Sequence, residues 1–495
     1  MKKIKELHSR AAELTNLNNI LALLQWDQEV MMPPAATADR AGQLSVLSTI
    51  IHKKITAPGL RNLLQQAAEH SDHLAAKDKA LVRILTREHV RNTKLPEKFV
   101  ADFARLTSES LPVWVAARKQ ADFKIFLPYL EKIVSMSLQK SDYLGYEEHP
   151  YDALLDLYEE GLTSRQLNDI FANLQPELTR LVEKKGVTPS QDKPVFPFPP
   201  IAQKDQIAFS EMMLEVIGYE FTRGRQDVSA HPFTTSIGHN DRRVTNRYRP
   251  DSLEFIFSAL HEGGHALYEQ NIAAEYADTP LDEGVSLGIH ESQSRLWENI
   301  IGRSRLFWSR YFPILQQAIP GSFQHVELDD FTRHINKIQP GLIRVEADEV
   351  SYNLHIIVRF ELERDLLAGN LRIVELPELW NEKYKKYLGL KVDSDANGVL
   401  QDIHWAHSSL GYFPTYTIGN LAAAQIWDAY CRSDPDFKQT LQQGRLDKIR
   451  KWLTENIYSH GSLYPPAELL QQVCGEPLHS GSFIQYLKNK TEFSL

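Results

Sequence analysis

Cysteine is nearly absent: Cys431 and Cys474 are the only two in 495 residues, and neither lies near a cluster of histidines. That excludes a disulfide framework and a thiolate metal site. Long apolar runs are missing too. No stretch approaches the roughly 18 uncharged apolar residues that a bilayer span needs. The N-terminal lysines give way to polar residues before any run of signal-peptide length. Sequence therefore argues against a membrane partner and places the protein in the cytoplasm. Excess positive charge is also lacking: 55 basic against 64 acidic side chains leave a net charge of -9, which disfavours a nucleic-acid partner. What remains, at 42% hydrophobic, 24% charged and 10% aromatic residues, is the composition of a globular chain with ample core.

Apolar residues recur at three- and four-residue spacing over 3–30, 36–57, 60–71, 74–93 and 97–145, predicting long stacked helices. Residues 186–203 hold five prolines and read as a connecting loop inside one domain, between a helical part of about 1–185 and a second part of about 205–495. From His231 to Tyr248 the chain turns threonine-rich around Gly238-His239-Asn240-Asp241, predicting a hairpin. Helical spacing then returns, with interruptions near Gly321, Gly341, Gly398 and Pro414. The fold class is mostly α with a small antiparallel β-sheet.

Residues 250–270 predict a helix that Asp251 would cap, with Glu254 three residues on. On it His261 and His265 stand at i and i+4, so both imidazoles reach one ion, with Glu262 beside them to work on a water. Gly263 and Gly264 each cost about 1 kcal/mol relative to alanine inside a helix, which implies that something approaches the backbone closely there. A catalytic zinc takes three protein ligands and keeps one position open. Glu291, 26 residues after His265, suits a second helix folded back on the first; its structural alternative is a surface pair with Arg295, and Glu283 and His290 compete for the place.

Further strings carry a resemblance. His231-Pro232-Phe233, the DxRxT pattern at Asp241, Arg243 and Thr245, His290-Glu291-Ser292-Gln293, Ile343-Arg344 with Ala347-Asp348, and Gly398 with Gln401-Asp402 and His404-Trp405 accompany HEGGH in an order that resembles the carboxypeptidase Taq family of metal-dependent carboxypeptidases. LLQWDQEVMMPP near the N-terminus and GYFPTY near residue 412 look similar to that family as well. The resemblance implies a single helical domain over 1–495 with a deep active-site groove, like the neurolysin-type zincins, and a homodimer. It makes Glu291 the third ligand and puts Arg243 and Arg344 at the closed end of the groove, where their planar forks would hold a peptide's terminal carboxylate. Arg295 stands where thermolysin-like enzymes have a histidine-orienting aspartate, so the partners of the ligand histidines must lie elsewhere.

The activity expected is removal of single residues from the free C-terminus of peptides. Zn2+ is the metal expected, with Co2+ fitting the same ligands. Glu262 is the general base and acid, Tyr412 or Tyr416 the donor to the developing oxyanion, and His231 and His404 belong to the substrate pocket. An exposed strand edge of the hairpin would pair with an extended peptide. The nearest rival is a metal-dependent endo-oligopeptidase, and a more distant one a non-catalytic helical binding protein.

Overall fold

The computed structural model describes residues 2–185 and 198–492, most of them helical. Helices α1 (Lys2–Val30), α2 (Thr37–Ile55), α3 (Pro58–Ala68) and α4 (Ala76–Lys94) follow the apolar spacing closely. The single helix expected over 97–145 is instead two, α5 (Glu97–Gln120) and α6 (Phe123–Leu144). Ala121 ends the first in the left-handed region at φ 52°, and the Asp122 side chain accepts from the Lys124 N–H at 3.0 Å to start the second. Apolar periodicity cannot register that break, because the signal lies in one capping residue.

Two further helices, α7 (Pro150–Leu155) and α8 (Ser164–Lys185), lead to the proline-rich stretch. Residues 186–197 of the expected loop lie outside the described residues; 198–202 carry no helix before α9 begins (Gln203–Ile217). Next come β1 (Gln226–Val228), β2 (Thr234–Gly238) and β3 (Asp241–Asn246), in the sheet order β1-β3-β2. The expected hairpin is β2 and β3, antiparallel, with Thr234 opposite Val244 and an irregularity before Gly238. Strand β1 pairs parallel to β3, so the sheet is mixed and not purely antiparallel. A strand of three residues is too short to display alternation, hence its absence from the sequence reading.

The later helices are α10 (Glu254–Gln270), α11 (Leu287–Arg295), α12 (Arg305–Ala318), α13 (Leu328–Ile335), α14 (Ser351–Leu367), α15 (Leu376–Leu388), α16 (Pro414–Ser433), α17 (Phe437–Gln442), α18 (Leu446–Asn456), α19 (Pro466–Cys474) and α20 (Gly481–Glu492). Asp251 does not cap α10: Leu253 precedes its first turn, and the Ser252 hydroxyl accepts from the Glu254 N–H at 3.1 Å. Glu254 turns outward to Arg247 and Arg249.

The chain forms two compact units. The first comprises Met1–Thr93, Phe196–Thr332 and Ile426–Pro477; the second comprises Lys94–Val195, Arg333–Gln425 and Leu478–Leu495. In the first unit α10 is central, packed against α9, α11, β2 and β3 through Leu214, Val244, Ala259 and Ala266. In the second, α14 is central, packed against α8 and α15. Both helices are buried almost all round, so every polar side chain they carry needs a partner.

Candidate metal centre

The glycines of HEGGH set the distance between α10 and its neighbours. A Cβ on Gly264 would stand 2.6 Å from the Gln293 carbonyl oxygen and 2.8 Å from Ser294 Cα, both backbone of α11. A Cβ on Gly263 would meet Leu214 and Ile217 side chains of α9. The close approach expected from the glycine pair is therefore α11, the helix that carries Glu291.

With the two helices this near, His261, His265 and Glu291 each bring one ligand atom to within 4.8 Å of the others. Both histidines present Nε2 to Glu291 Oε2, at 3.7 Å from His261 and 3.4 Å from His265. The other oxygen, Oε1, accepts from Arg295 Nε at 2.7 Å. The ion pair that stood as the alternative role for Glu291 thus exists alongside the metal-facing one. Burial pushes the Glu291 carboxyl up, but Arg295 and the two imidazoles outweigh it and hold the group ionised. Two imidazoles and one carboxylate oxygen, converging from two rigid helices, fit a divalent cation with an open position.

His290 stands behind this cluster, its Nδ1 at 2.5 Å from Nδ1 of His265, on the face away from Glu291. Glu283, the other competitor, is an exposed residue whose carboxyl is pushed up to about 7 by desolvation and by Glu269 beside it. Neither joins the converging donors.

The missing orienting partners are also found. His261 Nδ1 lies 2.9 Å from Glu298 Oε2. Glu298 sits on a π-helical turn, Leu296–Ile301, that prolongs α11 and closes where the Gly302 N–H reaches the Trp297 carbonyl; a Cβ there would strike that oxygen. Arg295 and Arg303 flank Glu298. Burial favours neutral His261, yet Glu291 and Glu298 outweigh it and raise the imidazole's pKa; burial lowers that of His265 to about 4.

Glu262 is buried, and burial raises its carboxyl above the ordinary glutamate range, while His261 and a hydrogen bond from Thr234 pull the other way. The Thr234 hydroxyl donates to Glu262 Oε2 at 2.7 Å from the start of β2. Thr234 and Glu298 were both missed by the sequence reading. The first directly follows His231-Pro232-Phe233; the second lies seven positions beyond Glu291, the same face of two α-turns.

Arg243, also in the first unit, is held by Asp241 through two hydrogen bonds of 2.8 and 2.7 Å and stacks on Trp26 at 4.3 Å. His231 is exposed, and its carbonyl accepts from Ser229.

The second unit gathers the other expected residues. Arg344 is buried, with Nε and Nη2 on Asp402 Oδ1 at 3.0 and 2.8 Å and Nη1 on the Tyr352 hydroxyl at 3.0 Å. Asp402 also takes Arg359 Nε at 2.7 Å, so two guanidiniums share one carboxylate and a positive charge is left over. Burial opposes ionisation of Asp402, but Arg359 and Arg344 hold it far below the carboxylate range. Arg359, deep in α14, was not anticipated. His404 approaches Tyr416, with Nε2 at 3.4 Å from the hydroxyl, and its ring lies 5.5 Å from that of Tyr412; burial lowers its pKa to about 4.

Comparison with known proteins agrees with this arrangement. The model of the carboxypeptidase Taq (M32) metallopeptidases matches residues 6–491. Carboxypeptidase 1 of Bacillus subtilis is 39% identical over 492 residues, covering 98% of this chain and 97% of that protein. Thermostable carboxypeptidase 1 of Pyrococcus furiosus is 39% identical over 499 residues, covering 98% of each. Among solved structures, the M32 carboxypeptidase from Deinococcus radiodurans R1 superposes with a TM-score of 0.96 at 37% identity over 100% of both chains.

Proposed function

This chain belongs to the carboxypeptidase Taq (M32) family and is a metal-dependent carboxypeptidase acting on peptides; from that premise we propose that its metal is zinc, held by His261, His265 and Glu291. The convergence of those three donors beside Glu262 is the observation that carries the reading. Cobalt suits the same ligands. Zinc on them would lower the pKa of a water toward neutrality and polarise the scissile carbonyl.

Glu262 takes the proton of the attacking water and delivers it to the leaving amine. Its raised affinity for a proton supports both halves of that task, and Thr234 fixes the carboxylate's rotamer. Tyr412 or Tyr416 donates to the oxyanion as it develops. Arg344 and Arg243 recognise the terminal carboxylate. Each is already immobilised by an aspartate, which lowers the entropy lost on binding. The surplus positive charge of Arg344, Arg359 and Asp402 favours an anionic ligand. His404, kept neutral, and His231 contact the substrate. The edge of β2 receives the peptide backbone. Residues 1–495 work as one domain, as a homodimer in the cytoplasm; the likeness to the family supports the first two and the composition the third. Among the described residues no helix is long and apolar enough to cross a membrane.

Peptides differing only in a free or amidated C-terminus test the arginines: the free acid is expected to be cleaved far faster, and equal rates would mean that no carboxylate is recognised. Glu262→Gln should lower kcat by about 10²–10⁴ at unchanged metal content; full activity in that variant removes Glu262 from its role.

A further inference from the structure

Behind His265 runs a chain of hydrogen bonds that the peptidase reaction does not itself require. His265 Nδ1 is 2.5 Å from His290 Nδ1, and His290 Nε2 is 2.7 Å from Glu269 Oε1. Glu269 also accepts from the Gly284 N–H at 3.1 Å and from the Ser236 hydroxyl at 3.2 Å, and faces Arg242 at 3.4 Å. Burial pushes the Glu269 carboxyl up, but His290 and Arg242 overcome this and bring it to about 2, so it is an ionised acceptor.

From there the proton positions follow in order. An ionised Glu269 requires a donor, so His290 carries its proton on Nε2. With that proton on Nε2, His290 turns its Nδ1 to His265 Nδ1 at 2.5 Å and accepts from it there. His265 is left with its lone pair on Nε2, the atom that faces Glu291. The opposite assignment at His290 sets a lone pair against the carboxylate and an N–H toward His265.

The ring of His290 is also fixed in place. It lies 4.6 Å from the ring of His265 and 5.4 Å from that of Tyr268, both inclined at 36°, and Tyr268 stacks on Tyr458. Gly284 is what makes the room, since a Cβ there would stand 2.4 Å from His290 Cδ2. His261 has Glu298 in direct contact, whereas His265 reaches its carboxylate only through a second imidazole.

We propose that His290 is a positioning residue for the metal ligand His265, fixing its metal-binding tautomer and transmitting the charge of Glu269 to it. This rests on His265 being a ligand, and the experiment separates the two. Metal-free protein is titrated with Zn2+ against a competing chelator for the unsubstituted chain and for His265→Ala, His290→Phe and His290→Asn. His290→Phe keeps a flat ring between His265 and Tyr268 but removes the acceptor. It should bind Zn2+ about 10- to 100-fold more weakly, the usual effect of losing a ligand's hydrogen-bond partner, with the thermal midpoint of the metal-free protein retained. His290→Asn, whose Oδ1 takes the place of Nδ1, should recover part of the affinity.

If His265→Ala binds Zn2+ like the unsubstituted chain, the ligand reading and the proposal both fall. If His265→Ala is impaired while His290→Phe binds normally, the proposal alone falls. Should the His290 variants not fold, 15N-histidine NMR of the unsubstituted zinc protein decides: a bare Nδ1 and protonated Nε2 on His290 are expected, and the reverse tautomer overturns the idea.

Discussion

Each charged residue of α10 owes its chemistry to a partner contributed by a different element. Glu262 shows this most simply. Burial raises its carboxyl, and the Thr234 hydroxyl on Oε2 opposes that rise. As a base the group acts only when deprotonated, so activity falls on the acidic side as pH drops through its pKa, and raising that pKa moves the limb upward. Thr234→Val removes the donor without changing the shape of the side chain. The acidic limb of kcat/KM is expected to move up by on the order of one pH unit, the size of one lost hydrogen bond to a charged group. The charge of the bound metal acts on both proteins alike and cancels in the comparison. A limb that stays in place means that Thr234 does not act on the base. At this scale the sequence was informative where spacing within one helix decides, as for His261 and His265. It was silent where the partner comes from another element, as for Thr234, Glu298 and Arg359.

At the scale of elements, the pair Gly263 and Gly264 separates two kinds of closeness. Replacing either with alanine gains about 1 kcal/mol of helix propensity. At Gly263 the new methyl meets the ends of the Leu214 and Ile217 side chains, which can rotate aside. At Gly264 it meets the backbone of α11 at Gln293 and Ser294, which moves only if the helix carrying Glu291 moves. Overpacking costs about 1–3 kcal/mol. Gly263→Ala should therefore stay within roughly 1–2 kcal/mol of the unsubstituted protein in urea unfolding. Gly264→Ala should be less stable than Gly263→Ala and bind metal more weakly; equal behaviour of the two would show that the α10–α11 spacing does not set the site. The glycines were readable as a sign of close approach, and the 26-residue step from His265 to Glu291 as a helix folding back. Which helix approached which glycine was not readable, since that is settled by packing. The same limit hid the division of 97–145 at Ala121, and left α14, whose buried face runs all round, without any periodicity to betray Arg359.

For the whole molecule, connectivity matters more than composition. Each unit is built from three separate stretches, and the chain passes between them after Thr93, Val195, Thr332, Gln425 and Pro477. Neither unit can complete its core until late segments have been made, so their folding is expected to be coupled. All three proposed ligands belong to the first unit, which makes metal removal a probe of that coupling. Metal at about 100 times its dissociation constant adds about 2.7 kcal/mol to the stability of whatever unfolds with the site. In a chain of this size that moves a thermal midpoint by only a few degrees, about 2–4 °C. If the two units unfold together, calorimetry will show one transition, and a chelator will lower the whole of it by that amount. If they unfold separately, the chelator will shift one transition and leave a second unmoved. The single shifting transition is the expected result. A stationary second transition would mean that the second unit holds its structure independently of the metal-bearing one, against the reading of 1–495 as one domain.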